Sequence, residues 1–455
     1  MKTKTTTNLI KTPVNKMLFL MAVPISLGML STFLFQVVDT FFVGTLGSGE
    51  LAALAFSSSI YFLFIALFIG ISVGLSSVVA KATGAADLQS AQNQTSLTLL
   101  FVFILSIILS FIGGQRINTI FTFLGADSKV LPLVHDYMSI LFIGFPFLML
   151  GIVSSGAARG SGIINKTEII FGIGGLINLL FDYLLIFGIG PFPEMGLAGA
   201  AVASVMSFIF ISIGNMRVLF SQNLLSFSAI SNLKNNIKTS KQVLQIAIPT
   251  IGMQLLVPVL GIFTTFILAK FGTEVVAAFG VASRIEALAF VGIFAVSMAL
   301  TPFVAQNLGA NKPDRIALAV TFGKKASLYI GLTFFIILAF FGEKIGSIFS
   351  EDEQVVTFVA LFFKIVAVSY GFVGIMNVST AIYTGLQMPK KALQIMMVKT
   401  LIFTIPLIIV ASFISATAVL VALSIGNILS GIYAFMLMRK TFQQKHPINE
   451  RVNNL

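Results

Sequence analysis

Apolar residues along this chain gather into runs of roughly 20, about the length a helix needs to cross a hydrocarbon core about 30 Å thick. The runs predict twelve membrane-spanning helices, over 16–43, 51–80, 93–112, 130–152, 167–188, 196–219, 243–269, 276–306, 320–341, 355–384, 393–413 and 417–438. Short polar or glycine-containing stretches separate them, among them Gly47-Ser48-Gly49, Gly84-Ala85-Ala86-Asp87 and the segment Gly309 to Pro313. The longest polar gap, 221–242, falls mid-chain and divides an N-terminal lobe (1–220, spans 1–6) from a C-terminal lobe (243–455, spans 7–12) with a basic tail.

The lobes are one unit repeated. Laid on each other at an offset of 225, residues 24–85 and 249–310 align without a gap and agree at 16 of 62 positions. Pro24 meets Pro249, Gly47 meets Gly272, Gly84-Ala85 meets Gly309-Ala310, and Gly160 meets Gly385. Proline and glycine dictate backbone shape, so these matches outweigh those between leucines. Six spans per copy give both copies one orientation, which sets a pseudo-two-fold axis along the membrane normal and a cavity between lobes. The expected fold is an all-α polytopic membrane protein of two six-helix lobes.

Composition narrows the function. The chain is 57% hydrophobic and only 10% charged, with mean hydropathy +1.01. Soluble domains carry about 25% charged residues, so a soluble enzyme, a nucleic-acid binder and a disordered chain are excluded. The net charge of +12 does not form a patch, because the basic residues lie between apolar runs. There is no cysteine, and His135 and His446 are too few and too distant for a zinc site. The N-terminus is basic, like a signal peptide, but the following run is too long and lacks a small-residue cleavage site, so it reads as span 1. Four basic residues fall outside (Arg116, Lys129, Lys270, Lys344), Arg284 and Lys364 fall within spans, and the remaining 22, at the inner ends of spans or beyond them, are assigned to the inside. That bias puts both termini in the cytoplasm of a cell whose inner (cytoplasmic) membrane holds the protein.

Polar residues within spans mark candidate chemistry. Asp39 lies three residues after Gln36 in span 1; Asn178 and Asp182 share a face of span 5, four residues apart. Depths counted from the span ends put Asp39, Tyr137, Asn178, Asp182 and Ser204 in one layer toward the outer leaflet of the first lobe. Hydrogen bonding between helices is the competing role, and Asn or Thr meets it more cheaply than a carboxylate, which costs about 2.5–3.5 kcal/mol on insertion scales. At the offset of 225 Asp39 becomes Thr264, Asn178 becomes Phe403 and Asp182 becomes Leu407. A scaffold role would persist in both copies; an ion site is needed only once. Neighbouring carboxylates withdrawn from water bind a proton more readily than one alone in water, as coupling to a proton gradient requires. Pro24, with Gly28 a turn later, predicts a hinge in span 1. Glu286 is expected to form a structural charge pair with Lys364, because Arg284 is only two residues away and on another face.

These residues carry a family resemblance over about residues 16–440. Pro24 to Gly47 with VDTFFVG at 38–44, ARGSG at 158–162, Asn178 with Asp182, GLAGAAVAS at 196–204 and VASRIEALAF at 281–290 resemble the MATE (multidrug and toxic compound extrusion) transporters, in particular their DinF-like branch. The resemblance implies two lobes in a V shape and antiport of amphipathic, often cationic drugs against inward H⁺ or Na⁺. It implies coupling through Asp39, Tyr137, Asn178, Asp182 and Ser204, although Thr is the more usual residue at 204. Residues 249–268 contain no acidic residue, which favours H⁺ over a second-lobe Na⁺ site. The expected partners are small organic molecules and the bilayer, with no cofactor beyond the coupling ion, no metal, no nucleic acid, no catalysis and a monomeric state. Alternatives are a Na⁺-coupled drug antiporter and a lipid-linked oligosaccharide flippase, the latter needing more basic residues in its cavity. A major-facilitator transporter would carry a Gly/Asp/Arg-rich loop between spans 2 and 3, where this chain has KATGAADLQSAQ. An intramembrane protease would have only Asp39 and Asp182 to work with.

Overall fold

The structure is a computed structural model and describes residues 6–226 and 233–444. The predicted linker lies partly outside the described residues, as does the end of the basic tail; helix ends at Ser221 and resumes at Leu233. Among the described residues there is helix and no strand. Twelve helices among the described residues are long and apolar enough to cross a membrane. Spans 1–6 are Val14–Gly44, Ser48–Gly84, Leu88–Gln115, Leu131–Gly160, Asn165–Phe187 and Gly196–Ser221. Span 7 is Lys241–Phe271; span 8 is Val291–Gly309, preceded by a helix over Thr273–Ala289. Spans 9–12 are Pro313–Phe349, Glu353–Gly385, Pro389–Ala411 and Ala416–Gln443.

The repeat is written in the backbone. Left-handed φ values recur at positions 225 apart: +152° at Gly47 and +119° at Gly272, +59° at Ala86 and +53° at Asn311, +85° at Gly162 and +61° at Gln387. Side chains with a Cβ resist this region, so Ala86 and Gln387 are held there by the helix ends they terminate. The central helices correspond too. Span 4 packs on spans 2, 3 and 6, and span 10 on spans 8, 9 and 12. A Cβ added to Gly160 would stand 2.5 Å from the Ser76 carbonyl oxygen, and one on Gly385 would stand 2.7 Å from that of Thr301. Ser76 and Thr301 are again 225 apart.

Packing divides the chain differently from the repeat. The first compact unit takes in Leu27–Ile251, and the second joins Asn8–Ser26 to the chain from Gly252 onward. Both boundaries cut a span, shortly after Pro24 in span 1 and after Pro249 in span 7, at equivalent positions of the repeat. In the first unit span 7 lies against span 2, where a Cβ on Gly74 would come 3.0 Å from the Ala247 nitrogen. In the second, Arg315 holds the chain just before span 1. Its guanidinium donates to the carbonyls of Leu9 (2.9 Å) and Thr12 (2.7 Å) and to Asn307 Oδ1 (2.9 Å).

The two equivalent glycine contacts predict equivalent damage. Gly160→Val and Gly385→Val are each expected to destabilise the protein by about 1–3 kcal/mol through overpacking, read as a lowered thermal midpoint in detergent. Gly172→Val, where a Cβ meets nothing within 4 Å, should leave it within error.

Candidate membrane transport site

The first unit encloses a cavity of about 300 Å³. Span 1 contributes Thr32, Phe35, Gln36, Asp39 and Thr40; span 2 adds Ser57 and Tyr61; span 4 adds Tyr137. Asn178 comes from span 5, and Ser204, Ser207 and Phe208 from span 6. Gly175 lets span 5 lie against span 1, since a Cβ there would strike the ring of Phe35. Asn178 Nδ2 donates to Ser204 Oγ at 3.3 Å, and Ser207 Oγ donates to the Gly174 carbonyl at 2.7 Å, tying span 6 to span 5. Tyr61 stacks on Phe208 with centroids 6.4 Å apart.

Asp182 does not line the cavity; it is fully buried behind it and interacts directly with Asp39, which does. Asp39 Oδ1 and both carboxylate oxygens of Asp182 lack a hydrogen-bond donor. Tyr61 and Tyr137 lie within electrostatic reach of Asp39, and no lining residue is basic. Two facing carboxylates without a cation repel each other unless a proton or another cation is held between them. The geometry therefore brings together Gln36, Asp39, Tyr137, Asn178 and Ser204 around one cavity, with Asp182 beneath.

Pro24 and Gly28 lie outside the cavity lining. A Cβ on Gly28 would strike the carboxylate of Glu168, which also accepts from Arg159 Nη1 at 3.4 Å. That ion pair, with side chains 14% and 11% exposed, is a feature the sequence reading passed over. Its signal was present: Arg159 stands in the ARGSG motif and Glu168 in the first turn of span 5. Tyr61 was also missed, at the end of the polar stretch Ser57-Ser58-Ser59.

The expected pairing of Glu286 with Lys364 is corrected. Lys364 is exposed and makes no ion pair with Glu286; the cation facing Glu286 is Lys399 of span 11, beside Tyr370 of span 10. A π-helical turn over Val398–Thr404 widens span 11 at Lys399. Pro406, which lacks an N–H to bond the preceding turn, accounts for the widening.

A repeated six-span fold with polar groups gathered around a cavity inside one repeat is a membrane transporter's construction. The MatE family profile matches the chain twice, over residues 24–184 and 249–410, so the chain belongs to the MATE family. It is 32% identical over 434 residues to an FAD transporter of Shewanella oneidensis, covering 95% of this chain and 96% of that one. It is 22% identical to the multidrug export protein MepA of Staphylococcus aureus, with 94% of both chains covered. A mutant of the Vibrio cholerae MATE transporter VcmN superposes with a TM-score of 0.90 at 24% identity, covering 98% of this chain and 100% of that one.

The Arg159–Glu168 pair yields a stability test. Arg159→Leu strands a buried carboxylate and is expected to cost about 3–5 kcal/mol, whereas Arg159→Leu with Glu168→Leu removes both charges and should recover most of it. Thermal unfolding of both variants in detergent measures the difference.

Proposed function

We propose that this chain is an H⁺-coupled antiporter of the inner (cytoplasmic) membrane, with both termini cytoplasmic, that exports amphipathic organic molecules by alternating access. Asp39 and Asp182 are the exchanging pair, supported by Gln36, Tyr137, Asn178 and Ser204. The observation that carries this reading is the contact between two carboxylates, one in the cavity wall and one buried, with no basic residue lining the cavity. The resemblance of the span 1 and span 5 motifs supports a place in the DinF-like branch. Low charge and many aromatic rings around the cavity suit amphipathic ligands. Flavin nucleotide export is the second reading, favoured by the 32% identity to the FAD transporter against 22% to MepA.

Efflux into inverted vesicles under an imposed pH gradient tests both. A fluorescent organic cation is expected to accumulate with the gradient alone, with or without Na⁺. Accumulation only with Na⁺ would replace the ion, and accumulation of FAD but not the cation would replace the substrate. Asp39→Asn keeps volume and hydrogen bonding but cannot exchange a proton, so it should abolish gradient-driven efflux at normal yield.

Pro24 supplies the moving part. Span 1 passes from one compact unit to the other between Ser26 and Leu27, just after Pro24. Asp39 stands about 15 residues further on, or roughly 22 Å along a helix, so a small change of bend at Pro24 carries it several ångströms. A proton affinity differing tenfold between two states biases them by about 1.4 kcal/mol, enough to tip a nearly balanced equilibrium. Pro24→Ala should therefore lower the transport rate far more than ligand affinity. Unchanged transport would retire the hinge.

A further inference from the structure

A short helix, Thr6–Lys11, precedes span 1, and the carbonyls at its end have no partner within the helix. The start of span 9 supplies partners. Arg315 donates to the carbonyls of Leu9 and Thr12, and Lys312 Nζ donates to that of Ile10 at 3.1 Å. Cations are favoured at a helix C-terminus. The guanidinium is itself held: its Nε donates to Asn307 Oδ1, and its central carbon stands 5.5 Å from the centre of the Phe303 ring. Asn307 is fully buried and donates in turn to the Phe303 carbonyl at 2.8 Å. The Leu9 side chain is fully buried as well. This is a built socket, closed by hydrogen bonds of ordinary length.

The repeat separates this socket from a requirement of the scaffold. At an offset of 225, Phe303, Asn307, Lys312 and Arg315 correspond to Val78, Ala82, Asp87 and Ser90. In the first copy the turn closes on itself, Asp87 Oδ1 accepting from the Ser90 nitrogen at 2.9 Å. In the second the same four positions serve the chain that leads into span 1. Span 1 then changes character at the unit boundary. Val14, Leu18, Met21, Ala22 and Ile25 form one buried stripe along its inner part. From Ser26 to Phe42 every residue is half-buried or exposed. Apolar burial is non-directional, so the stripe resists separation but sets axial position and rotation only weakly. Hydrogen bonds, bounded in distance and angle, fix both.

We propose that Arg315, with Lys312, is a positioning residue for transport: it pins the segment before span 1 to the second unit, so that a change of bend at Pro24 is delivered to Asp39. This role rests on the antiporter reading and its hinge, and adds the anchor against which the hinge works. A rod bent in its middle moves whichever end is less firmly held. With the inner end fixed by the socket, the lightly packed outer part swings. With the socket open, the inner end can slide or turn along its apolar stripe, and the bend is spent there.

The test compares gradient-driven efflux with gradient-free binding, using whichever of the fluorescent organic cation and FAD the wild type moves. Arg315→Met is expected to slow efflux about tenfold, the scale of one charge-assisted hydrogen bond, and to leave binding unchanged. Arg315→Lys keeps the charge but cannot bridge three acceptors at once, so it should fall between and fold securely. The chain has no cysteine, so cysteines can be placed without background at Lys11 and Asp314, exposed residues that flank the socket. Spin labels there should give one narrow distance in the wild type and a broad distribution in Arg315→Met. A bifunctional cross-link between the same two cysteines replaces the lost tether and should restore efflux in Arg315→Met. Wild-type efflux by Arg315→Met, or loss of binding in step with efflux and no recovery on cross-linking, overturns the anchor while the antiporter reading stands. A wild type that moves neither ligand sinks that reading, and the anchor falls with it.

Discussion

Hydrocarbon offers no hydrogen bond, and each unit answers that deficit in its own way. In the first unit the spans stay regular and the departure is confined to side chains: Asp39 and Asp182 face one another with oxygens that no donor reaches. In the second the backbone itself departs, in a 3₁₀ turn over Ala367–Ser369 and a π turn over Val398–Thr404. A helix that satisfies its own peptide groups is nearly free to place anywhere in a bilayer, whereas each unsatisfied group must be justified by what surrounds it.

Duplication conserved shape and released chemistry. Equivalent positive-φ turns and equivalent glycine contacts survive in both copies because the central spans cannot pack without them. The side chains that face the interior have diverged. Thr264, the counterpart of Asp39, is buried and donates to the Leu260 carbonyl of its own helix at 2.8 Å, so it is satisfied without help from any neighbour. Phe403, the counterpart of Asn178, packs on Tyr433 at 6.3 Å. One copy carries a titratable pair; the other carries a self-satisfied threonine, a phenylalanine and a leucine at the equivalent places.

Much of the fold was legible because hydrophobic runs and glycine or proline punctuation act locally. The twelve spans, their order and the repeat follow from residues read in line. The layer of Asp39, Tyr137, Asn178 and Ser204 was legible for a related reason: depth in a membrane is a count along a helix of known rise. Partnership across helices was not. Depth gives no azimuth: Lys364 was preferred to Arg284 only because Arg284 stands two residues from Glu286, and Lys399, near the inner end of span 11, was counted with the cytoplasmic residues. The Glu168–Arg159 pair was overlooked because both residues sit at span ends, where a charge normally needs no explanation.

The exchange of span 1 and span 7 between the compact units bears on how the chain is made. The segment Asn8–Ser26 leaves the ribosome among the first residues, yet it packs in a unit whose other members begin at Gly252. Its contact with Arg315 joins residues 306 apart in sequence. The first unit likewise lacks its last helix until Ile251 has been synthesised. Each unit draws a segment from the other half of the sequence, so insertion of the first six helices precedes tertiary closure, and the part of span 1 before Leu27 must wait for the second half to arrive. The sequence repeats as two halves, but the compact units do not follow that division.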